Sequence, residues 1–158
     1  MSEQQDLALI REAVQSLCAD FDDHYWSACD QEHRFPWDFY RAMAAAGWIG
    51  ISIPEDYGGC GRGILEAAAV LEEVAASGAA MNGASALHMS VFGMQPVIRH
   101  GSEEMKARFL PSVADGSLHV AFGVTEPDAG TDTTRITTRA VRDGDHYRIT
   151  GRKVWTSK

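Results

Sequence analysis

The hydrophobic period of this chain changes once, near residue 117. Upstream, apolar residues recur at spacings of three and four, the period of a helix with one buried face. From Leu118 onward Leu118, Val120, Phe122 and Val124 alternate with His119, Ala121 and Gly123, the period of a half-buried strand. A helical unit over residues 1–116 followed by the opening of a β-unit over 117–158 is therefore expected. The fold class is α+β, with all-α and antiparallel parts segregated along the chain.

Within the first part, Leu7, Ile10, Val14, Leu17, Phe21 and Tyr25 form one stripe and predict a helix from Asp6 to Ala28. Pro36 suits a first helical turn and opens a short helix over 37–44, with Gly47 as its C′ residue. The glycine-rich stretch 49–63 forbids a regular element. A helix follows over Ile64–Ser77, burying Leu65, Ala68, Leu71 and Ala75, with Val70 and Val74 on an adjoining face and Gly78 as the stop. The apolar stretch 82–100 should be broken or kinked at Pro96. Ser102 caps a last helix with Met105, Phe109, Leu110 and Val113 inward, made irregular by Pro111. Strands are expected at 118–124, 136–142, 146–150 and 153–157, with Asp143-Gly144-Asp145 as the hairpin turn. Four such strands need more sheet to cover them, so the chain reads as the front part of a longer polypeptide.

Charge divides the chain at a similar place. Residues 1–130 hold 7 Lys+Arg against 19 Asp+Glu, and residues 131–158 hold 7 against 3. The net charge of −8 argues against nucleic acid as the main partner. The basic end would attract an anionic ligand; equally, strand-edge Arg and Lys keep a sheet unpaired. No apolar run approaches the roughly 20 residues of a membrane helix, and no membrane association is expected. Cys18, Cys29 and Cys60 lack metal or disulfide spacing and are expected to be small buried residues in a reducing compartment, the cytoplasm.

The stretch Phe122-Gly-Val-Thr-Glu-Pro-Asp-Ala-Gly-Thr-Asp132 carries the chemistry. Pro127 removes a donor and holds Glu126 extended, and Gly130 permits a φ that a Cβ resists. Backbone N–H groups and hydroxyls at such a bend suit a phosphate or the edge of a heterocycle. An ordinary strand-ending turn has the same composition. The partner stretch Gly151–Ser157 shifts the balance, because Trp155 offers a flat apolar face beside the hydroxyls of Thr156 and Ser157, as a planar cofactor requires.

Several segments together resemble the acyl-CoA dehydrogenase family. Pro54-Glu55-Asp56-Tyr57-Gly58-Gly59 is similar to its Pro-Glu-x-Tyr-Gly-Gly loop, and Phe109-Leu110-Pro111 with Asp115-Gly116 to the end of its helical domain. Phe122–Asp132 is similar to its flavin signature, and Gly144-Asp145-x-Tyr147-x-Ile149-x-Gly151-x-Lys153-x-Trp155 to its second signature. The resemblance implies an FAD flavoprotein with a helical domain, a central β-barrel-like domain and a C-terminal helical bundle, the last missing here. It implies α,β-dehydrogenation of an acyl-CoA thioester in fatty acid metabolism, an electron-transfer flavoprotein or similar acceptor, and a homotetramer or homodimer when full length. The backbone of Val124 and Thr125 is implied at the pyrimidine edge of the isoalloxazine, with Phe122 and Gly123 beside the flavin. Trp155 would pack on the ring, with Thr156 and Ser157 donating nearby. Gly130 and Thr131 would meet the pyrophosphate, Thr131 also the CoA. His88, Met89 and Phe92 would line the acyl cavity, and core packing accounts for Met89 and Phe92 equally well.

Departures from the pattern are Thr131 for a frequent Ser, Trp155-Thr156-Ser157 for Trp-Ile-Thr, and Phe122 for a common Tyr. The general base is expected in the C-terminal part; Glu126 is read as structural, holding the turn through its carboxylate. Alternatives on the same fold are an acyl-CoA oxidase, a nitroalkane oxidase or a flavin-dependent monooxygenase. An alternative of another class is a non-catalytic helical interaction module.

Overall fold

Asp22 decides where the first apolar stripe is interrupted. In the computed structural model, which describes residues 3–156, its side chain accepts the Tyr25 N–H at 2.9 Å and caps a new helix. The single helix expected over Asp6–Ala28 is therefore two, α1 (Glu3–Cys18) and α2 (Asp23–Gln31). Short carboxylates compete for backbone N–H groups and favour caps over helix interiors, and three of them fall at 20–23. The break turns α2 so that Phe21, Tyr25, Trp26 and Phe39 meet edge to face, with ring centroids 5.0–5.3 Å apart. Trp26 Nε1 donates to the Phe21 carbonyl at 3.0 Å, so its polar edge is satisfied inside the cluster.

Helix α3 (Trp37–Ala45) follows Pro36 and ends as expected before Gly47, whose φ of +82° is the left-handed geometry of a C′ residue. The glycine-rich loop contains one turn of 3₁₀-helix, Glu55–Tyr57, and packs Ile49, Ile51 and Ile53 fully inward. Helix α4 (Ile64–Ala76) buries Ala67, Ala69, Val70, Glu73 and Val74. The face expected to be buried is largely exposed at Leu65, Ala68 and Ala75, and the adjoining valine face is the inner one. Val70 and Val74, one turn apart, outweigh a stripe half made of alanine when α4 packs between α1 and the next helix. The stop is Ser77, in extended geometry, with its hydroxyl donating to Val74 O and accepting from Ala79 N, rather than Gly78.

Pro96 breaks the apolar stretch as expected, giving α5 (Ala80–Gly93) and α6 (Gln95–His100). Helix α7 (Glu103–Ala114) starts at Ser102, whose side chain accepts from Met105 N. It runs unbroken through Pro111, against the expected irregularity, since its last four residues stay helical. Leu110 and Val113 are fully buried with Ile53 and Met94, whereas Met105 is exposed. Cys18 and Cys29 are buried, but Cys60 is only half-buried, its thiol directed to the Gly47 carbonyl at 3.6 Å.

The described residues fall into two compact units, Met1–Val120 and Ala121–Lys158. In the second unit, β1 (Arg139–Asp143) and β2 (His146–Thr150) pair antiparallel with Asp143 opposite His146. The two-residue turn holds Gly144 at φ +68°, as the hairpin signal requires. Expected strands at 118–124 and 153–157 do not form a ladder among the described residues, and β1 begins three residues later than expected. The cause of the late start is specific: the N–H groups of Thr137 and Thr138 bond a carboxylate instead of a neighbouring strand. Both hairpin faces are open, with Val141, Tyr147 and Ile149 more than half exposed.

Candidate functional site

The corner expected at 126–131 is a tight reciprocal turn. Glu126 N donates to Ala129 O at 2.9 Å and Ala129 N to Glu126 O at 3.2 Å, with Pro127 and Asp128 at the tip. Pro127 has no N–H to waste there. Gly130 does not lie in the left-handed region, and a Cβ on it would meet open space. The conformational freedom expected of Gly130 is therefore not used by this turn.

Glu126 holds the corner from inside. It is 5% exposed. Its Oε2 accepts from Thr137 N at 2.8 Å and Thr137 Oγ1 at 2.9 Å; its Oε1 accepts from Thr138 N at 2.9 Å and Lys153 Nζ at 3.0 Å. The neighbouring Thr138 hydroxyl, the Thr137 and Thr138 N–H groups and the Lys153 ammonium hold this carboxyl far below the usual carboxylate range, against the upward pull of burial. A carboxylate so occupied has no lone pair to spare for substrate, which makes it a structural group that holds the turn, as expected.

Lys153 ties the second stretch to the first. Its ammonium also donates to Val124 O at 2.9 Å, and Val154 N donates to Thr125 O at 2.9 Å. Gly123 allows close approach: a Cβ there would lie 3.2 Å from Thr156 Oγ1 and 3.7 Å from Lys153 Cβ. The structure thus brings Gly123, Val124 and Thr125 together with Lys153, Val154 and Thr156. The carbonyls of Val124 and Thr125 are taken, while their N–H groups have no partner among the described residues. Such donors, fixed by their own carbonyls and left open, suit an acceptor-rich heterocycle edge.

Trp155 projects from this junction, 86% exposed and at φ +60°, a backbone geometry rare for a bulky residue. Phe122 is 41% exposed, and Thr131 and Gly130 are open on the surface. Ser157 lies outside the described residues. In the helical unit, His88 and Phe92 stack on one face of α5 with centroids 5.2 Å apart, and Met89 is half-buried. The role of Lys153 as the clamp on Val124 was missed from sequence. No local pattern signals it, because the groups it meets, Val124 O and Glu126 Oε1, lie 29 and 27 positions away.

The helical unit matches a family model described as acyl-CoA dehydrogenase, N-terminal domain, over residues 4–117. That match covers most of the chain. The chain belongs to the acyl-CoA dehydrogenase family. Among curated acyl-CoA dehydrogenases, FadE12 of Mycobacterium tuberculosis is 36% identical over 98% of this chain and 39% of its own length. Among solved structures, a glutaryl-coenzyme A dehydrogenase in complex with glutaryl-CoA matches with a TM-score of 0.82 at 31% identity. That match takes in 99% of this chain and 40% of the other. An acyl-CoA dehydrogenase complexed with FAD from Bacillus anthracis matches with a TM-score of 0.81 at 25% identity, over 99% of this chain and 26% of the other. The chain thus spans about two fifths of the length of the curated relative. No helix among its described residues is long and apolar enough to cross a membrane.

Proposed function

We propose that this chain supplies the helical unit and the flavin-contacting corner of an FAD-dependent acyl-CoA dehydrogenase. The observation that carries the reading is the Val124–Thr125 backbone, with its carbonyls engaged and its N–H groups without a partner among the described residues. These two donors would hold the pyrimidine edge of the isoalloxazine. Trp155 would cover one part of the ring, with Phe122, Gly123, Thr156 and Ser157 around it. Gly130 and Thr131 would receive the pyrophosphate, Thr131 also the CoA. The fit rests on donor chemistry: an acceptor-rich planar group needs N–H donors held against reorganisation and an accessible aromatic face.

Bound FAD would supply the acceptor for the hydride leaving the β-carbon of an acyl-CoA thioester, and the α-proton would go to the carboxylate expected in the C-terminal part. This chain's residues bind and orient: Glu126 and Lys153 hold the corner, the open N–H groups stabilise charge gained by the ring, and His88, Met89 and Phe92 offer an apolar wall for the acyl group. The electron acceptor is an electron-transfer flavoprotein or its equivalent. The assembly is a homotetramer, or a homodimer, of the full-length protein in the cytoplasm.

The test is the full-length protein purified with FAD present. Absorbance near ~450 nm that bleaches on adding an acyl-CoA supports the reading. A colourless protein that takes up no FAD overturns it. Electron delivery to an electron-transfer flavoprotein, without oxygen consumption, separates a dehydrogenase from an oxidase or monooxygenase on this fold.

A further inference from the structure

The corner contains an ion pair whose charges stand against the backbone assigned to the flavin. Lys153 Nζ lies 2.9 Å from Val124 O and 3.0 Å from Glu126 Oε1. Its side chain is 29% exposed and that of Glu126 is 4% exposed. Neither charge is needed elsewhere: among the described residues Lys153 has no other acidic partner, and Glu126 no other basic one. A bare lysine would pull electron density toward the Val124 peptide, and a bare glutamate would push it away. In a partly buried setting either charge is felt over several ångströms, because salt screens it less than at the open surface. A nearby cation favours a redox ring that has gained electrons, and a nearby anion disfavours it.

We propose that Lys153 and Glu126 are a charge-compensated positioning pair that sets the electron affinity of the flavin through the Val124–Thr125 backbone. The proposal deepens the flavin reading and rests on it. Neither residue touches the reacting atoms. Their partners explain the arrangement: Thr137 and Thr138 fix the carboxylate, the carboxylate fixes the ammonium, and the ammonium fixes the Val124 carbonyl. A joint with a purely mechanical role would fail in the same way whichever partner were removed. A compensated pair fails in opposite ways, and removing both charges restores balance.

The experiment uses full-length holoprotein and three variants: Lys153→Met, Glu126→Gln and the double substitution. FAD content and the flavin midpoint potential are read for each. Lys153→Met leaves the anion alone and should lower the potential. Glu126→Gln leaves the cation alone and should raise it, each single change altering the electron-binding equilibrium about tenfold. The double variant should return close to the wild type. A single variant that sheds FAD supports the pair if the double variant regains it. Shifts of one sign in both single variants, no shift at all, or loss of FAD from all three variants overturns the pair and leaves the flavin reading standing. Wild-type protein without FAD overturns the flavin reading itself, and the pair with it.

Discussion

Lys153 Nζ sits 3.0 Å from Glu126 Oε1, joining residues 27 positions apart across the base of a tight turn. The contact converts two loosely structured segments into one platform, because the same ammonium reaches Val124 O. No strand ladder of the expected length exists among the described residues to do this work. Side chains and a few backbone bonds replace it.

The state of Glu126 makes the platform sensitive to acid in a defined window. Folding lowers its pKa, while in the unfolded chain it titrates near the ordinary value of 4.5. Above about pH 5 both states are ionised and the stabilisation is fully present. As pH falls below 4.5 the unfolded chain takes up the proton first, so the stabilisation declines steadily toward the depressed folded value. Urea midpoints of wild type and Glu126→Gln, compared from pH 3 to 7, should differ by a constant amount above pH 5. The gap should close below 4.5. A gap that widens in acid would contradict the ionised, hydrogen-bonded carboxylate.

Phe39 is the keystone of the helical core. It is fully buried, and the rings of Phe21 and Trp26 meet it edge to face at 5.3 and 5.0 Å. Phe39→Ala should destabilise the protein by about 3–5 kcal/mol, through lost apolar burial and a cavity walled by two rigid rings. Equilibrium unfolding followed by tryptophan fluorescence measures this, with Trp26 as an internal probe. A cost below about 1 kcal/mol would mean that the cluster collapses onto the vacancy.

How much of this was legible in the sequence follows from which forces decide each feature. The place of the hairpin turn was readable because Gly144 satisfies a local φ requirement, although Asp143, expected in the turn, pairs with His146 in the ladder. The break between α5 and α6 was readable because Pro96 acts locally too. The split of α1 from α2 was hidden because the apolar stripe continues straight through Asp20–Asp23, and only the capping competition breaks it. Which face of α4 is buried depends on what α1 and α5 present to it, a tertiary choice that a single stripe does not encode. The bend at 126–129 and its closeness to the 153–156 stretch were legible in the sequence. Its mechanism of closure was not, because one buried glutamate gathers ligands from 137, 138 and 153, and sequence spacing does not record such convergence.

Gly123 should tolerate no side chain without cost to the site. Even a methyl group would press Thr156 Oγ1 at 3.2 Å, tighter than ordinary van der Waals contact. Gly123→Val would force the 153–156 segment away from the corner and disturb the Val154–Thr125 bond. FAD affinity of the full-length protein should fall by about tenfold or more, the loss of roughly one hydrogen bond to a charged or strongly polar group. Titration of apoprotein with FAD, followed by flavin fluorescence, reads this directly. Unchanged affinity would remove the close approach of the two segments from the binding argument.

Trp155 separates binding from stability. Its indole is 86% exposed, so it contributes little to the packing of its own unit, and its left-handed φ is a small local cost that any replacement with a Cβ shares. Trp155→Ala should therefore leave the apoprotein's unfolding midpoint nearly unchanged, within about 0.5 kcal/mol. The same substitution should weaken FAD by about tenfold, because a large flat face covering a planar ring contributes both area and stacking. Apoprotein and holoprotein melts, run side by side, measure both effects: the apoprotein curves should coincide, and only the stabilisation by FAD should shrink. Should the apoprotein fall apart instead, the indole is a core residue of the full-length fold rather than a ring cover. An unchanged FAD shift would show that the flavin, if bound, lies against another surface.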